Sequence, residues 1–299
     1  MSMKVRFGVF LLLLSLLAFP LSGAGEIPVC TGLAPVAHIA SAVGGSRIKV
    51  STMLPPGRSP HDYAPGTREL RLAMGAKIFL TTNMLYEQRI TRALKNKVPV
   101  ADVSATIRRI PLESGGHSHD HHHCGLDHHS CGGDAASGDP HVWLSPLNCA
   151  LIAQQIALEL GKIAPEHKAE FAGRAAEYGK KMRKLHENML KRLAPHKGKS
   201  FFVYHPAFGY IAQLYGLKQC AIELGGREAA PGRMAAVIRQ AKKAGVKVVF
   251  VQKQFNPASA RALANAIKGE VMELDPLEGN VEANFEAVCN ALLKGFGKK

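Results

Sequence analysis

The stretch HKAEFAGRAAEYGKKMRKLHENMLKRL (residues 167–193) carries apolar side chains at Phe171, Ala175, Tyr178, Met182, Leu185, Met189 and Leu193. Their spacings of four, three, four, three, four and four residues put all seven on one face of a single helix, whose period is about 3.6 residues. At 1.5 Å per residue such a helix is about 39 Å long, enough to run the length of a two-domain protein. Pro195 and Gly198 stop it. One narrow apolar face on so long a helix reads as a bridge between two lobes.

Both flanks support that reading. Before the helix, strand-like apolar runs at 29–33, 47–53, 76–80 and 98–103 alternate with helical stretches near 35–43, 67–74 and 83–94, and a further helix is expected at 146–160. After it, strands at 200–204, 218–222, 247–251 and 270–274 alternate with helices near 207–214, 234–244, 257–267 and 282–293. Strands alternating with helices predict a parallel sheet covered on both faces. The expected fold is therefore α/β: two lobes, each a parallel sheet flanked by helices, joined by one long rigid helix. The expected division is an N-terminal lobe at 25–165, the linking helix at 166–194 and a C-terminal lobe at 195–299.

Four polar residues stand at corresponding places in this plan. His61 lies in Ser59-Pro60-His61-Asp62-Tyr63, after the second strand; His141 lies in Asp139-Pro140-His141-Val142-Trp143, after the fourth. His205 ends the first strand of the second lobe, and Asp275 ends the last. Ligands of open parallel sheets bind outside the carboxyl ends of the strands, so these groups can converge across a cleft. Three imidazoles and a carboxylate suit a tetrahedral Zn²⁺, and a proline beside each of the four restricts the backbone that aims it. His38, His167, His186 and His196 have no such setting and are expected to serve as ordinary residues on helices or at their ends.

Residues 111–138 interrupt the alternation. They hold His117, His119, His121, His122, His123, His128 and His129, with Asp120, Asp127 and Asp134 close by, Cys124 and Cys131 interleaved, and no Lys or Arg. Neutral imidazoles and carboxylates without competing cations favour contact with a transition metal. An auxiliary, weaker metal site is expected here.

The N-terminus places the chain. Lys4 and Arg6, the apolar run from Phe7 to Phe19, and Ser22-Gly23-Ala24 have the order of a secretory signal peptide (1–24), expected to be cleaved after Ala24. Ile27-Pro28-Val29 before Cys30 is a poor lipidation site, so a free periplasmic protein is expected. In an oxidising compartment the six cysteines are candidates for disulfides, with Cys220–Cys289 the first pairing to consider. The net charge of +15, from 38 Lys+Arg against 23 Asp+Glu, is spread along the chain. No nucleic-acid-binding motif accompanies it, and a solvated basic surface accounts for it.

The segments SPHDY (59–63), DPHVWLSP (139–146), YHPAFGYIAQLYGL (204–217), VKVVFVQKQF (246–255) and ELDPLEGN (273–280) resemble those of the zinc-binding periplasmic solute-binding proteins of bacterial metal-uptake ABC transporters. The likeness covers essentially the whole mature length. It implies two lobes bridged by a rigid helix with limited closure, metal ligation by His61, His141 and His205, and a fourth position at Asp275 that water or another carboxylate fills in some zinc members. Manganese members usually carry a carboxylate where His205 stands, and imidazole suits zinc better. The acidic residue that usually follows this histidine is replaced by Pro206. The resemblance further implies a monomer that passes Zn²⁺ to a membrane permease, with no nucleic-acid partner. A secreted zinc hydrolase would need an open coordination position and a general base, commonly as HExxH, a motif this sequence lacks. Metal storage by the histidine-rich segment alone would instead give many weak sites and no tight one.

Overall fold

The computed structural model describes residues 26–112, 138–223 and 230–297. The expected signal peptide, the seven histidines from His117 to His129, and Cys124 and Cys131 lie outside the described residues.

Short apolar runs make the strands. β3 (Ile78–Thr81) and β7 (Val248–Val251) are buried along their whole length, as a sheet with helices on both faces requires. The first sheet has the order β2-β1-β3-β4, built from β1 (Ile27–Thr31), β2 (Ile48–Thr52), β3 and β4 (Val100–Asp102). Every pairing is parallel, with Val29 between Val50 and Ile78. The second sheet repeats the plan as β6-β5-β7-β8, from β5 (Ser200–Val203), β6 (Lys218–Ala221), β7 and β8 (Glu270–Glu273). In each sheet the chain steps from its first strand to one side and then crosses to the other. That reversal opens a crevice at the carboxyl ends of β1 and β3, and of β5 and β7, the usual seat of a ligand.

The linking helix α5 (Lys168–Leu193) buries all seven stripe residues. It packs against α1 (Ala34–Gly44) and α4 (Pro146–Ile163) on the N-terminal side, and against α6 (Gly209–Tyr215) and α9 (Val281–Phe296) on the C-terminal side. One hydrophobic core consequently runs through both lobes, from Val29 and Phe79 through Phe171 and Met182 to Phe250 and Phe285. Direct bonds add to it: the Trp143 indole N–H donates to the Pro276 carbonyl at 2.7 Å, the Tyr210 hydroxyl donates to the Asp139 carbonyl at 2.9 Å, and His38 Nε2 lies 2.6 Å from Glu282 Oε2. A shared core and several interlobe bonds resist a wide hinge.

The second lobe has a further core on the other face of its sheet. Phe201, Val203, Val248 and Phe250 join the shared core, whereas Phe202, Val249, Val251 and Cys220 pack with α8 (Ala258–Ala266) and α7 (Pro231–Lys243), following the two-residue period of a strand. This parity corrects the expected Cys220–Cys289 disulfide. Cys289 is on α9 in the shared core as a free buried thiol, while Cys220 faces the opposite side and accepts a hydrogen bond from Gln240 at 3.4 Å. Among the described residues no helix is long and apolar enough to cross a membrane.

Candidate metal centre

His61 is carried by the loop between β2 and α2 (Thr67–Met74), where its backbone N–H donates to Ser59 Oγ at 3.3 Å. Two residues on, Tyr63 rests its ring edge-on against Tyr86, which secures the loop to the lobe. His141 sits in a tight turn closed by the Val142 N–H to the Pro140 carbonyl at 2.8 Å, a three-residue turn of the kind found at strand ends and loop starts. The turn is tied down where the Asp139 N–H meets the Ile110 carbonyl at 2.7 Å. His205 follows β5, and Gln252 clamps its backbone from both sides: the amide accepts from the His205 N–H at 3.1 Å and donates to its carbonyl at 2.6 Å. The expected helix at 207–214 begins only at Gly209, because His205-Pro206-Ala207 forms a turn closed by the Ala207 N–H to the His205 carbonyl at 2.8 Å.

These three loops bring the imidazoles together. Nε2 of His141 lies 3.3 Å from Nε2 of His61 and 3.3 Å from Nε2 of His205. A tetrahedral zinc with Zn–N bonds of about 2.0–2.1 Å has ligand-to-ligand edges of about 3.3–3.4 Å, so two edges of such a polyhedron are already set. Among the described residues this is the one group of three or more metal-ligating side chains with donor atoms within 4.8 Å of one another. The His141 ring meets Trp143 edge-on and the His205 ring stacks on Phe255 at 5.1 Å.

The far nitrogens decide the tautomers. His141 Nδ1 is 2.7 Å from Asp139 Oδ1, and His205 Nδ1 is 2.6 Å from Glu223 Oε1. A carboxylate only accepts, so each Nδ1 bears the proton and each Nε2 presents its lone pair. Two lone pairs at 3.3 Å repel unless a cation lies between them, and the donor set therefore fits a soft-to-borderline divalent ion. Burial favours the neutral form of His61 and His205. His61 is pushed down to about 2, first by desolvation and then by the neighbouring His205 and His141; His205 is also lowered by burial, against the opposing pull of Glu223.

Asp275 is not part of this group. Its Oδ1 accepts from Gln254 Nε2 and from the Leu277 N–H, both at 2.9 Å, and its Oδ2 lies 3.7 Å from Lys253 Nζ. It faces an interlobe cavity of about 920 Å³, walled by Met53, Leu54, Arg68 and Leu72 on one side and by Lys253, Leu277 and Glu278 on the other. The remaining described histidines have other partners: His38 pairs with Glu282 across the lobes, His167 lies beside Glu166 and Glu170, His186 meets the Tyr215 hydroxyl, and His196 stacks on Phe296. Sequence reading missed Asp139 as a partner of His141, although it stands only two residues away. Glu223, the partner of His205, stands eighteen residues away from it in the chain.

The family ZnuA, described as zinc-uptake complex component A, periplasmic, matches residues 29–295. The zinc-binding protein AdcA of Streptococcus pyogenes is 30% identical over 279 residues, covering 88% of this chain and 53% of AdcA; the chain spans about half the length of such relatives. The high-affinity zinc uptake system protein ZnuA of Yersinia pestis is 26% identical over 293 residues, covering 93% of this chain and 91% of that protein. A crystal structure of ZnuA shares the fold with a TM-score of 0.80 at 24% identity, covering 90% of this chain and 99% of the other. With the match running from the first strand of the first lobe to the last helix of the second, the chain belongs to the ZnuA family of periplasmic zinc-uptake components.

Proposed function

We propose that this protein captures Zn²⁺ between its lobes outside the cytoplasm and delivers it to the membrane permease of a metal ABC transporter, as a binding protein and not an enzyme. His61, His141 and His205 are the ligands. The observation that carries the reading is the convergence of their Nε2 atoms at 3.3 Å, with two of the three rings held as the lone-pair-presenting tautomer. The family and the names of its zinc-uptake relatives support the same assignment. The working parts are the lobes at 25–165 and 195–299, rigidly joined by 166–194, in a monomer exported by cleavage of residues 1–24 without a lipid anchor. The histidines between His117 and His129 act as a weaker auxiliary collector, so deleting 117–129 leaves the tight site in place.

Zinc requires neutral imidazoles, so affinity falls as the rings protonate. The test is a competition titration of chelator-stripped mature protein with Zn²⁺ and Mn²⁺, on wild type and His205→Ala. One tight zinc site that outcompetes Mn²⁺ and collapses in the variant is expected. Several weak, equivalent sites that the substitution leaves intact would transfer the metal to the histidine-rich segment and overturn the reading.

A further inference from the structure

Two buried carboxylates stand directly behind the ligands, one from each lobe. Asp139 is 1% exposed and Glu223 2%. A dication in a buried site without counter-charge carries a large desolvation cost, and three neutral imidazoles supply none. The carboxylate expected to offset that charge from within the coordination sphere, Asp275, is instead held by Gln254, the Leu277 N–H and Lys253.

We propose that Asp139 and Glu223 are the positioning residues of this centre: they hold His141 and His205 with Nε2 toward the metal and contribute the two negative charges that balance Zn²⁺, so that Asp275 is not required for tight binding. This rests on the metal-capture reading above. Asp139 Oδ1 accepts from both the backbone N–H of His141 at 2.9 Å and its Nδ1–H at 2.7 Å, which fixes the turn and the ring together. Glu223 reaches His205 from the end of β6, eighteen residues along the chain. The third ligand, His61, sits on a loop and is the least buried of the three. Two rings are therefore preset, one in each lobe, and the bound ion joins them.

The experiment compares wild type with Asp139→Asn, Glu223→Gln and Asp275→Asn, each stripped of metal. Asparagine and glutamine keep an accepting oxygen but remove the charge. Partners of metal-bound histidines typically change affinity by about 10- to 100-fold, and a loss of that size in zinc affinity is expected for Asp139→Asn and Glu223→Gln. The metal-free melting temperature should stay at or above the wild-type value, and Asp275→Asn should bind zinc within about threefold of wild type. Co²⁺ loading gives a second readout: the visible absorption of the tetrahedral ion should shift in the first two variants and not in the third. Wild-type affinity in both Asp139→Asn and Glu223→Gln overturns the inference, as does a loss in Asp275→Asn equal to theirs. If one of the two fails to fold, the other carries the same test from the opposite lobe. Collapse of binding in His205→Ala while these variants bind normally would sink the positioning role alone, whereas normal binding in His205→Ala would sink the metal-capture reading beneath it.

Discussion

Gly209 opens α6 in the second lobe and faces the Asp139 carboxylate of the first. A Cβ at this position would stand 2.7 Å from Asp139 Oδ2 and 3.3 Å from Ile110 Cδ1. Restoring an ordinary van der Waals separation in Gly209→Ala requires the carboxylate to retreat by about 0.5–0.8 Å. The same carboxylate holds His141 Nδ1 at 2.7 Å, and a retreat of that size takes this bond to the edge of hydrogen-bond range. A hydrogen bond to a charged group contributes about 1.5–3 kcal/mol, and each 1.4 kcal/mol is tenfold in affinity, so zinc should bind roughly 10- to 100-fold more weakly. Folding should respond less. Alanine in place of glycine favours the helix by up to about 1 kcal/mol, which offsets part of an overpacking cost of about 1–3 kcal/mol. The assay is competition of the metal-free variant against a chromophoric chelator, with thermal melting in parallel. Zinc affinity within twofold of wild type would refute the link from Gly209 through Asp139 to His141.

Two further outcomes are expected. Glu87 is fully buried, its Oε2 accepting from Thr81 Oγ1 and from the Thr82 and Met84 N–H groups while its Oε1 has no partner, and burial pushes its carboxyl up to about 7. A folded pKa raised above the unfolded one stabilises at low pH, and the gain is lost as pH rises through about 7, so the stability of Glu87→Gln relative to wild type should increase between pH 5 and pH 8 by up to about 3 kcal/mol; a difference that does not change with pH in denaturant titrations would contradict this. Trp143→Phe removes the 2.7 Å interlobe bond to the Pro276 carbonyl and should lower stability by about 1–3 kcal/mol; because Trp143 is the only tryptophan, unfolding must be followed by circular dichroism, and an unchanged urea midpoint would show that this bond contributes nothing.

Much of the architecture was legible because its causes are local. The stripe from Phe171 to Leu193 declares its helix by periodicity, and strands such as IFLT and VVFV declare themselves as runs buried on both faces. His61, His141 and His205 could be placed at strand ends because proline-bearing loops interrupt each apolar run there. Helix starts were less certain: the turn at His205-Pro206-Ala207 delays α6 to Gly209, and nothing in the residues themselves states that an N–H will close a turn before a helix begins.

Contacts across the chain were not legible. The Cys220–Cys289 pairing fails by parity: register with β5 turns Cys220 to the face opposite α9, and a strand's two faces are interchangeable until neighbouring elements dock. Asp275 carries the right chemistry at the end of the right strand, yet its carboxylate bonds to Gln254 and the Leu277 N–H and lies outside the close group of three imidazoles. Glu223 meets His205 only because β5 and β6 lie side by side. The sequence by itself determined two parallel-sheet lobes, a rigid helical link and three candidate imidazoles, since hydrophobic period and backbone restriction act over a few residues. Only the tertiary structure decided which carboxylates stand behind His141 and His205 and which nitrogen those two rings turn toward the neighbouring imidazoles, because hydrogen bonds of 2.6–2.7 Å depend on positions that strand register and lobe packing set together.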